Sequence, residues 1–249
     1  MTFIDGGVTA SKGFKASGIH CGIRKNQTKK DLAMIVSDKK CAAAAVYTQN
    51  KVYGAPITVT RKNIADGFAQ AVIVNSGNAN TCNKDGVEKA EMMCEIAAKA
   101  TGVDKNDVIV ASTGVIGMTL DVTPIAQRAS ELASNLSENG GKDAAEAIMT
   151  TDTVSKECAV EFEISGKKVH LGACCKGSGM IHPNMATMLC FMTTDCSITS
   201  EMLQKALSDV VKDTFNMISV DGDTSTNDMV CILANGEAEN DEISSLNED

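Results

Sequence analysis

Short, largely apolar runs alternate along this chain with amphipathic stretches of helical period. Residues 31–37, 42–47, 57–60, 71–75, 108–111, 188–192, 217–220 and 229–233 are rich in Val, Ile, Ala and Met and too short for helices. They predict strands buried on both faces. Residues 18–23 predict a further short strand between glycine bends. Residues 158–164 alternate, with Val160, Phe162 and Ile164 on one face, and Ser165-Gly166 turns them back into 168–174 as a hairpin. Helical spacing governs 86–101, where Val87, Ala90, Met93/Cys94 and Ala97/Ala98 share a face. A second helix opens at Thr123-Pro124, cap and first turn, with Ile125, Ala129, Leu132 and Leu136 as its stripe. A short helix covers 143–149, and Thr199 or Ser200 caps another running to Val211. The acidic stretch from Glu237 predicts little core. Many strands with few helices give an α/β chain of the α+β type, with mixed β-sheets covered by helices.

At 249 residues the chain can bury a sizeable core as one large or two small domains. Tryptophan is absent and other aromatics are few, which favours close-packed layers over an aromatic binding surface. A formal charge of -9 argues against nucleic acid and anionic membrane as the main partner, since both need clustered Lys and Arg. The early bases Lys12, Lys15, Arg24, Lys25, Lys29 and Lys30 are interrupted by Asp5, Asp31 and several glycines. They read as solvated surface, not as a targeting leader. No apolar run reaches membrane-spanning length. The cysteines are scattered, without a C-x-x-C pair, and read as buried reduced thiols in a cytoplasmic protein.

The candidate chemistry centres on residues 176–189. A loop of small and polar residues, Lys176-Gly177-Ser178-Gly179, leads through Pro183-Asn184-Met185-Ala186 to Thr187, which opens an apolar run. Cutting Ala186–Thr187 would give Thr187 a free α-amine beside its own hydroxyl. An α-amine titrates near ~8, so it can take the hydroxyl proton and make threonine a nucleophile. Acyl chemistry also needs donors for an oxyanion. Thr113-Gly114, at the end of a predicted strand, offers a hydroxyl and a close backbone N–H; by itself it reads equally well as a plain turn. Ser178 does not sit in a G-x-S-x-G elbow. His20 and His182 read as structural. Asp221-x-Asp223-x-Ser225 begins like a calcium loop, but Thr226 and Ile232 replace the glycine and glutamate such a loop needs, so it reads as hydrogen-bonded bracing.

Residues 176–189 resemble the self-cleavage segment of the glutamate N-acetyltransferase (ornithine acetyltransferase) family of arginine biosynthesis. Further blocks resemble that family in the same order: Gly7-Val8-Thr9-Ala10 with Lys12-Gly13-Phe14, Asn75-Ser76-Gly77-Asn78-Ala79-Asn80, Ala111 to Gly117, Met149-Thr150-Thr151-Asp152-Thr153, and Asp221 to Asp228. The resemblance implies a self-processing fold and cleavage at Ala186–Thr187. It implies residues 1–186 as an α chain and 187–249 as the start of a β chain, with two of each in the full-length assembly. Thr187 is then nucleophile and substrate contact, Thr113 and Gly114 stabilise the oxyanion, and Thr150 and Lys176 bind substrate. The implied reaction moves acetyl from N2-acetyl-L-ornithine to L-glutamate through an acetyl-threonine, with no metal or bound cofactor. Use of acetyl-CoA as a second donor stays open. The family continues past Leu233-Ala234-Asn235-Gly236 with a further domain bearing a catalytic glutamate in an Asp-Gly-Glu-Gly-Ala-Thr-Lys block. That block is absent here, so the chain reads as C-terminally truncated. Two other readings stay open: a self-processing amidase or aminopeptidase of the same fold, and an inactive fragment.

Overall fold

The computed structural model describes residues 1–182 and 188–246; Ala186 and Thr187 lie outside the described residues. In chain order the elements are β1 (Thr2–Ile4), β2 (Phe14–Ile19), β3 (Leu32–Tyr47), α1 (Ala55–Asn63), β4 (Phe68–Asn75), α2 (Gly86–Thr101), β5 (Val108–Ser112), α3 (Thr123–Ser134), α4 (Gly141–Ala147), β6 (Lys156–Ile164), β7 (Lys167–Lys176), β8 (Leu189–Thr194), α5 (Ser200–Asp213) and β9 (Met229–Ala234).

Two of the predicted strands are one. The apolar runs at 31–37 and 42–47 join as β3 across the exposed Asp38-Lys39-Lys40, where the register with β4 shifts between Val36 and Cys41. Before the shift β3 pairs with β2 and β4; after it, β3 pairs with β9. The strands run β1-β6-β7-β8-β9-β3-β4-β5, with β2 on β3. β4/β5 and β8/β9 are parallel, each pair joined through a helix.

The sheet folds over itself at the irregular stretch of β3. Ala33, Ile35, Val72, Val74 and Ile109 of one half share a core with Leu189, Phe191, Cys231 and Leu233 of the other. The outer face of the first half carries α2 and α3, with Met34, Ile73 and Val110 clustered with Met93, Ile125 and Leu132. The outer face of the second carries α5, with Cys190, Val230 and Ile232 clustered with Leu203, Leu207 and Val211. The layers are helix, sheet, sheet, helix, which is the mixed, helix-covered architecture the pattern predicts. Alternate residues of β5, β8 and β9 face two buried layers, hence their unbroken apolar runs. The inner layer also admits α4, which packs on β2 so closely that a Cβ on Gly18 would lie 2.0 Å from the Asp143 carbonyl oxygen.

Several expectations are corrected. Residues 57–60 lie in helix α1: Pro56 sits in its first turn, and four β-branched residues alone do not separate strand from helix. Its Thr60 hydroxyl donates to the Val110 carbonyl (2.8 Å) and accepts the Val110 N–H (2.9 Å), while Asn63 donates to the Val108 carbonyl. Those side chains satisfy the outer edge of β5. Residues 217–220 form no strand; Phe215–Met217 is a 3-10 turn and Met217 and Val220 are exposed. The strand expected at 18–23 lies at 14–19, since Asp31 takes the Cys21, Gly22 and Arg24 N–H groups and bends the chain away. Thr123 is inside α3, and the Asp121 carboxylate accepts its N–H. The segment after Glu237 is partly packed: Ala238 and Asn240 are buried and Ile243 bridges Ile198. Cys82 and Cys158 are exposed. No helix among the described residues is long and apolar enough to cross a membrane.

Replacing Thr60 by valine keeps shape and leaves both Val110 groups unpaired in a buried edge. Thr60→Val should destabilise the protein by about 1–3 kcal/mol, read as a lower denaturant midpoint with unchanged slope.

Candidate active site

Because β4 and β5 are parallel and in register, Asn75 and Ser112 end side by side, at the end of a sheet where ligands gather. Asn75 donates to the Ser112 hydroxyl (2.6 Å) and accepts the Gly77 and Asn78 N–H groups, which fixes the turn after β4. Thr113 N–H bonds the Asn75 carbonyl at 3.0 Å. Gly114 follows at φ +127°, and a Cβ there would meet the Gly77 carbonyl carbon at 2.6 Å. Only glycine fits. Neither the Thr113 hydroxyl nor the Gly114 N–H has a hydrogen-bond partner among the described residues.

Both face a cleft of about 920 Å³ that also takes in Thr150, Thr151, Lys176 and Met180. The four described residues singled out in the sequence, Thr113, Gly114, Thr150 and Lys176, thus line one cavity. Among the described residues its cations are Arg24, Lys25, Lys29 and Lys176 and no carboxylate lines it, although the chain carries a net charge of -9.

Lys176 ends β7 and is 4% exposed. Burial lowers its pKa, against the carboxylates of Asp152 and Asp228. Its ammonium makes no hydrogen bond to a described residue. Asp152 accepts from Lys156 (2.5 Å), Gly177 N–H (2.8 Å) and Thr150 N–H (3.2 Å). Burial pushes the Asp152 carboxyl up, but Lys156, these amides and Lys176 outweigh it and hold the group below its ordinary value. Asp152 therefore sets the backbone that presents both Thr150 and Lys176.

Arg24 escaped the sequence reading, where it passed for surface charge. It donates to the Ser76 carbonyl and hydroxyl and to the Met149 carbonyl, binding three loops of the cleft. No local pattern announces a contact so distant in sequence. Asn227 is a second such residue: it donates to the Ala79 and Ser112 carbonyls (2.7 and 2.9 Å) and accepts from Thr81 and Thr226. The 221–228 loop is braced as its polar sequence suggests. Asp221 accepts the Met180 (2.6 Å) and Ile181 (2.8 Å) N–H groups, which lower its pKa. Ser178 bonds Thr151 at 2.6 Å. His20 bonds the Lys29 carbonyl, and His182 is exposed.

Where the described chain resumes, Met188 N–H donates to Asp228 Oδ1 at 2.9 Å and the Met188 carbonyl accepts from Met229. Asp228 Oδ2 is buried without a partner. Burial pushes the Asp228 carboxyl up to about 8, against the Ser225 hydroxyl, the Met188 amide and Lys176.

Sheets folded face to face between helices place the protein in a fold class that includes a variant of the Ntn hydrolase fold. The L-aminopeptidase D-Ala-esterase/amidase of Ochrobactrum anthropi, described as a variant of the Ntn hydrolase fold, superposes with a TM-score of 0.55 at 14% identity, over 94% of this chain and 76% of that one. More narrowly, the chain belongs to the ArgJ family, whose model matches residues 15–249. It is 51% identical to the arginine biosynthesis bifunctional protein ArgJ of Symbiobacterium thermophilum, over 98% of this chain and 61% of that protein. It is 50% identical to the glutamate N-acetyltransferase of Methanocaldococcus jannaschii, over 95% of this chain and 58% of that one. The ornithine acetyltransferase of Mycobacterium tuberculosis, solved with ornithine, matches at a TM-score of 0.67 and 32% identity, over 76% of this chain and 99% of that one. The chain thus spans about three fifths of the length of the curated relatives it matches.

Asp228 has its pKa raised by folding, so between about 4 and about 8 the folded state holds a proton that the unfolded state has lost. Stability should therefore fall as pH rises through that window, by up to about 1.4 kcal/mol per unit from this one group. In Asp228→Asn that contribution should vanish, seen as a flatter pH dependence of the urea midpoint than in wild type.

Proposed function

We propose that the chain is the nucleophile-bearing part of an amino-acid N-acetyltransferase, which cuts itself at Ala186–Thr187 and then carries acetyl on Thr187. The observation that carries this reading is the convergence in one cleft of the Thr113 hydroxyl and the Gly114 N–H, neither with a partner among the described residues, and the buried Lys176, beside the strand that Thr187 precedes. The Thr113 hydroxyl and Gly114 N–H, without partners among the described residues, would receive a developing negative oxygen, first at the cleaved carbonyl and later at the acetyl group. The water-poor setting that lowers the Lys176 pKa also strengthens its attraction for a substrate carboxylate. Arg24, Lys25 and Lys29 add to that field, and Thr150, held by Asp152, adds a hydroxyl contact.

Thr187 Oγ attacks the Ala186 carbonyl, the amide nitrogen leaves as the new α-amine, and water opens the ester. The freed amine then serves as base when the same hydroxyl takes acetyl from N2-acetyl-L-ornithine, and L-glutamate receives it in the second half. Residues 1–186 and 187–249 become α chain and start of β chain, in an assembly of two of each. One feature of the comparison favours such a division. The Mycobacterium chain is matched over 99% of its length by 76% of this one, close to the share that residues 1–186 make up. Acetyl-CoA is a candidate second donor, to be assayed beside N2-acetyl-L-ornithine.

Intact mass tests the core of the reading. Wild type should give two fragments meeting at Ala186/Thr187 and Thr187→Ala a single uncut mass. Thr113→Ala should still fold but cleave slower, on the order of 10²-fold, the cost of one oxyanion donor. A single uncut mass in wild type, or fragments persisting in Thr187→Ala, overturns the proposal.

A further inference from the structure

Cysteines are scattered along the sequence, and the fold brings two of them face to face. Cys175 of β7 and Cys190 of β8 stand directly opposite each other in the antiparallel register. No other two cysteines among the described residues share a register position.

The alternation of the ladder makes them a close pair. Just past the end of β7/β8 the Asp195 N–H bonds the His170 carbonyl, so residues 170 and 195 form a hydrogen-bonded pair. Cys175 and Cys190 lie an odd number of residues along the same unbroken register and fall in the non-hydrogen-bonded class. Opposed Cα atoms of that class stand about 4.5 Å apart, within the span of about 4.4–6.8 Å that a disulfide bridges.

Both side chains meet the layer under α5. Cys190 belongs to the cluster of Leu203, Leu207 and Val230, and Cys175 packs against it. A hydrogen bond with the Cys175 thiol, and then burial, hold the Cys190 thiol well above its ordinary pKa. Cys174 points the other way, into the inner core with Cys231.

We propose that Cys175 and Cys190 form a dithiol site that small-molecule disulfides oxidise to a reversible cross-strand bond, locking the strand end that presents Lys176. The inference does not depend on the reading of Thr187. Cys175 is half-buried and Cys190 is 3% exposed, so Cys175 meets the oxidant and Cys190 resolves the intermediate. Lys176 follows Cys175 directly, and its ladder partner Leu189 precedes Cys190. A covalent rung there fixes the last pair of the ladder, where strands otherwise fray. It thereby fixes the buried lysine in the cleft.

The step balances. Cys175 Sγ attacks one sulfur of the small disulfide, whose S–S bond breaks, and the departing thiolate takes the Cys175 proton. Cys190 Sγ then attacks Cys175 Sγ, the mixed disulfide breaks, and the second departing thiolate takes the Cys190 proton. Two cysteines are oxidised, and one small disulfide is reduced to two thiols.

The test treats the folded full chain with oxidised glutathione, in a Cys82→Ser/Cys158→Ser background that removes the two exposed thiols. Remaining thiols are trapped with N-ethylmaleimide, and peptides are read by mass spectrometry without reduction, so cut and uncut chain report alike. Circular dichroism monitors folding. A linked peptide pair joining Cys175 to Cys190, lighter by two hydrogens and opened by dithiothreitol, is the expected product. Amide exchange at Lys176 should slow several-fold on oxidation and recover on reduction. Cys190→Ala should stop at a glutathione adduct on Cys175, whereas Cys174→Ala should keep the link. The inference is overturned by no reaction at either cysteine, by a lasting adduct on Cys175 with Cys190 intact, or by a link that forms only in urea. Loss of the link in Cys174→Ala assigns the bond elsewhere and overturns it too. Unchanged exchange at Lys176 in the linked chain refutes the locking. Should Cys190→Ala not fold, the linked peptide and Cys174→Ala decide alone.

Discussion

Between Val36 and Cys41 the β3 backbone loses its regular register with β4, and the sheet turns there. One strand thereby serves two halves of a sheet, pairing with β2 and β4 in the first and with β9 in the second. The turn brings two apolar faces together and leaves the outer faces to helices, so each strand near the seam is buried on both sides. Small residues follow from that constraint. Ala33, Ala43, Ala45 and Ala111 line the inner layer, where α4 and two sheet faces must fit within van der Waals reach. The scarcity of aromatic residues is a packing consequence, not a statement about ligands.

The cleft inherits its position from the same turn. The ends of β4 and β5 belong to the first half, and the end of β7 and the start of β9 to the second. Asn227 crosses between them, its amide donating to the Ala79 and Ser112 carbonyls. Shifting the halves by an ångström would separate the Thr113-Gly114 donors from Lys176, so the precision of the site depends on packing far from it. Burying Lys176 and Asp228 also costs desolvation that neither wholly recovers in ion pairing. Asp152, by contrast, is fully supplied with donors, which is why it ends below its ordinary pKa while Asp228 ends above.

The sequence is most legible where burial is simple. Strands β4, β5, β8 and β9, the β6/β7 hairpin and helices α2 and α5 follow from apolar runs or helical stripes, because each meets a uniform layer. Residues 57–60 mislead because α1 is held by what it does for β5: its Thr60 and Asn63 complete the β5 edge, a contact no window around them contains. The two halves of β3 read as separate strands because Asp38, Lys39 and Lys40 are polar at a bend that stays exposed. At the site, Thr113, Gly114, Thr150 and Lys176 were found through motif resemblance. Arg24 was not, and Asn227 lay in a recognised block without its contacts being legible, since the partners of both lie scores of positions away. Asp228 lies within a recognised block, yet its buried, unpaired oxygen shows only in the packed structure.

A cut between residues 186 and 187 would fall between two strands that are already paired. β8 lies between β7, antiparallel through Leu171 to Lys176, and β9, parallel through Met229 to Ala234. β9 in turn holds β3, and Leu189, Phe191, Cys231 and Leu233 sit in the same core as Ala33, Val72 and Ile109. Two ladders and a shared core span the junction, so the pieces would stay together with only local backbone freedom gained. That freedom matters chemically. An uncut connection holds the threonine nitrogen in an amide, with no lone pair to serve as base, whereas a cut one turns it into an amine without moving the strand behind it. On the proposed cleavage, the chemistry at residue 187 would change while Thr113, Gly114, Lys176 and strand β8 keep their places.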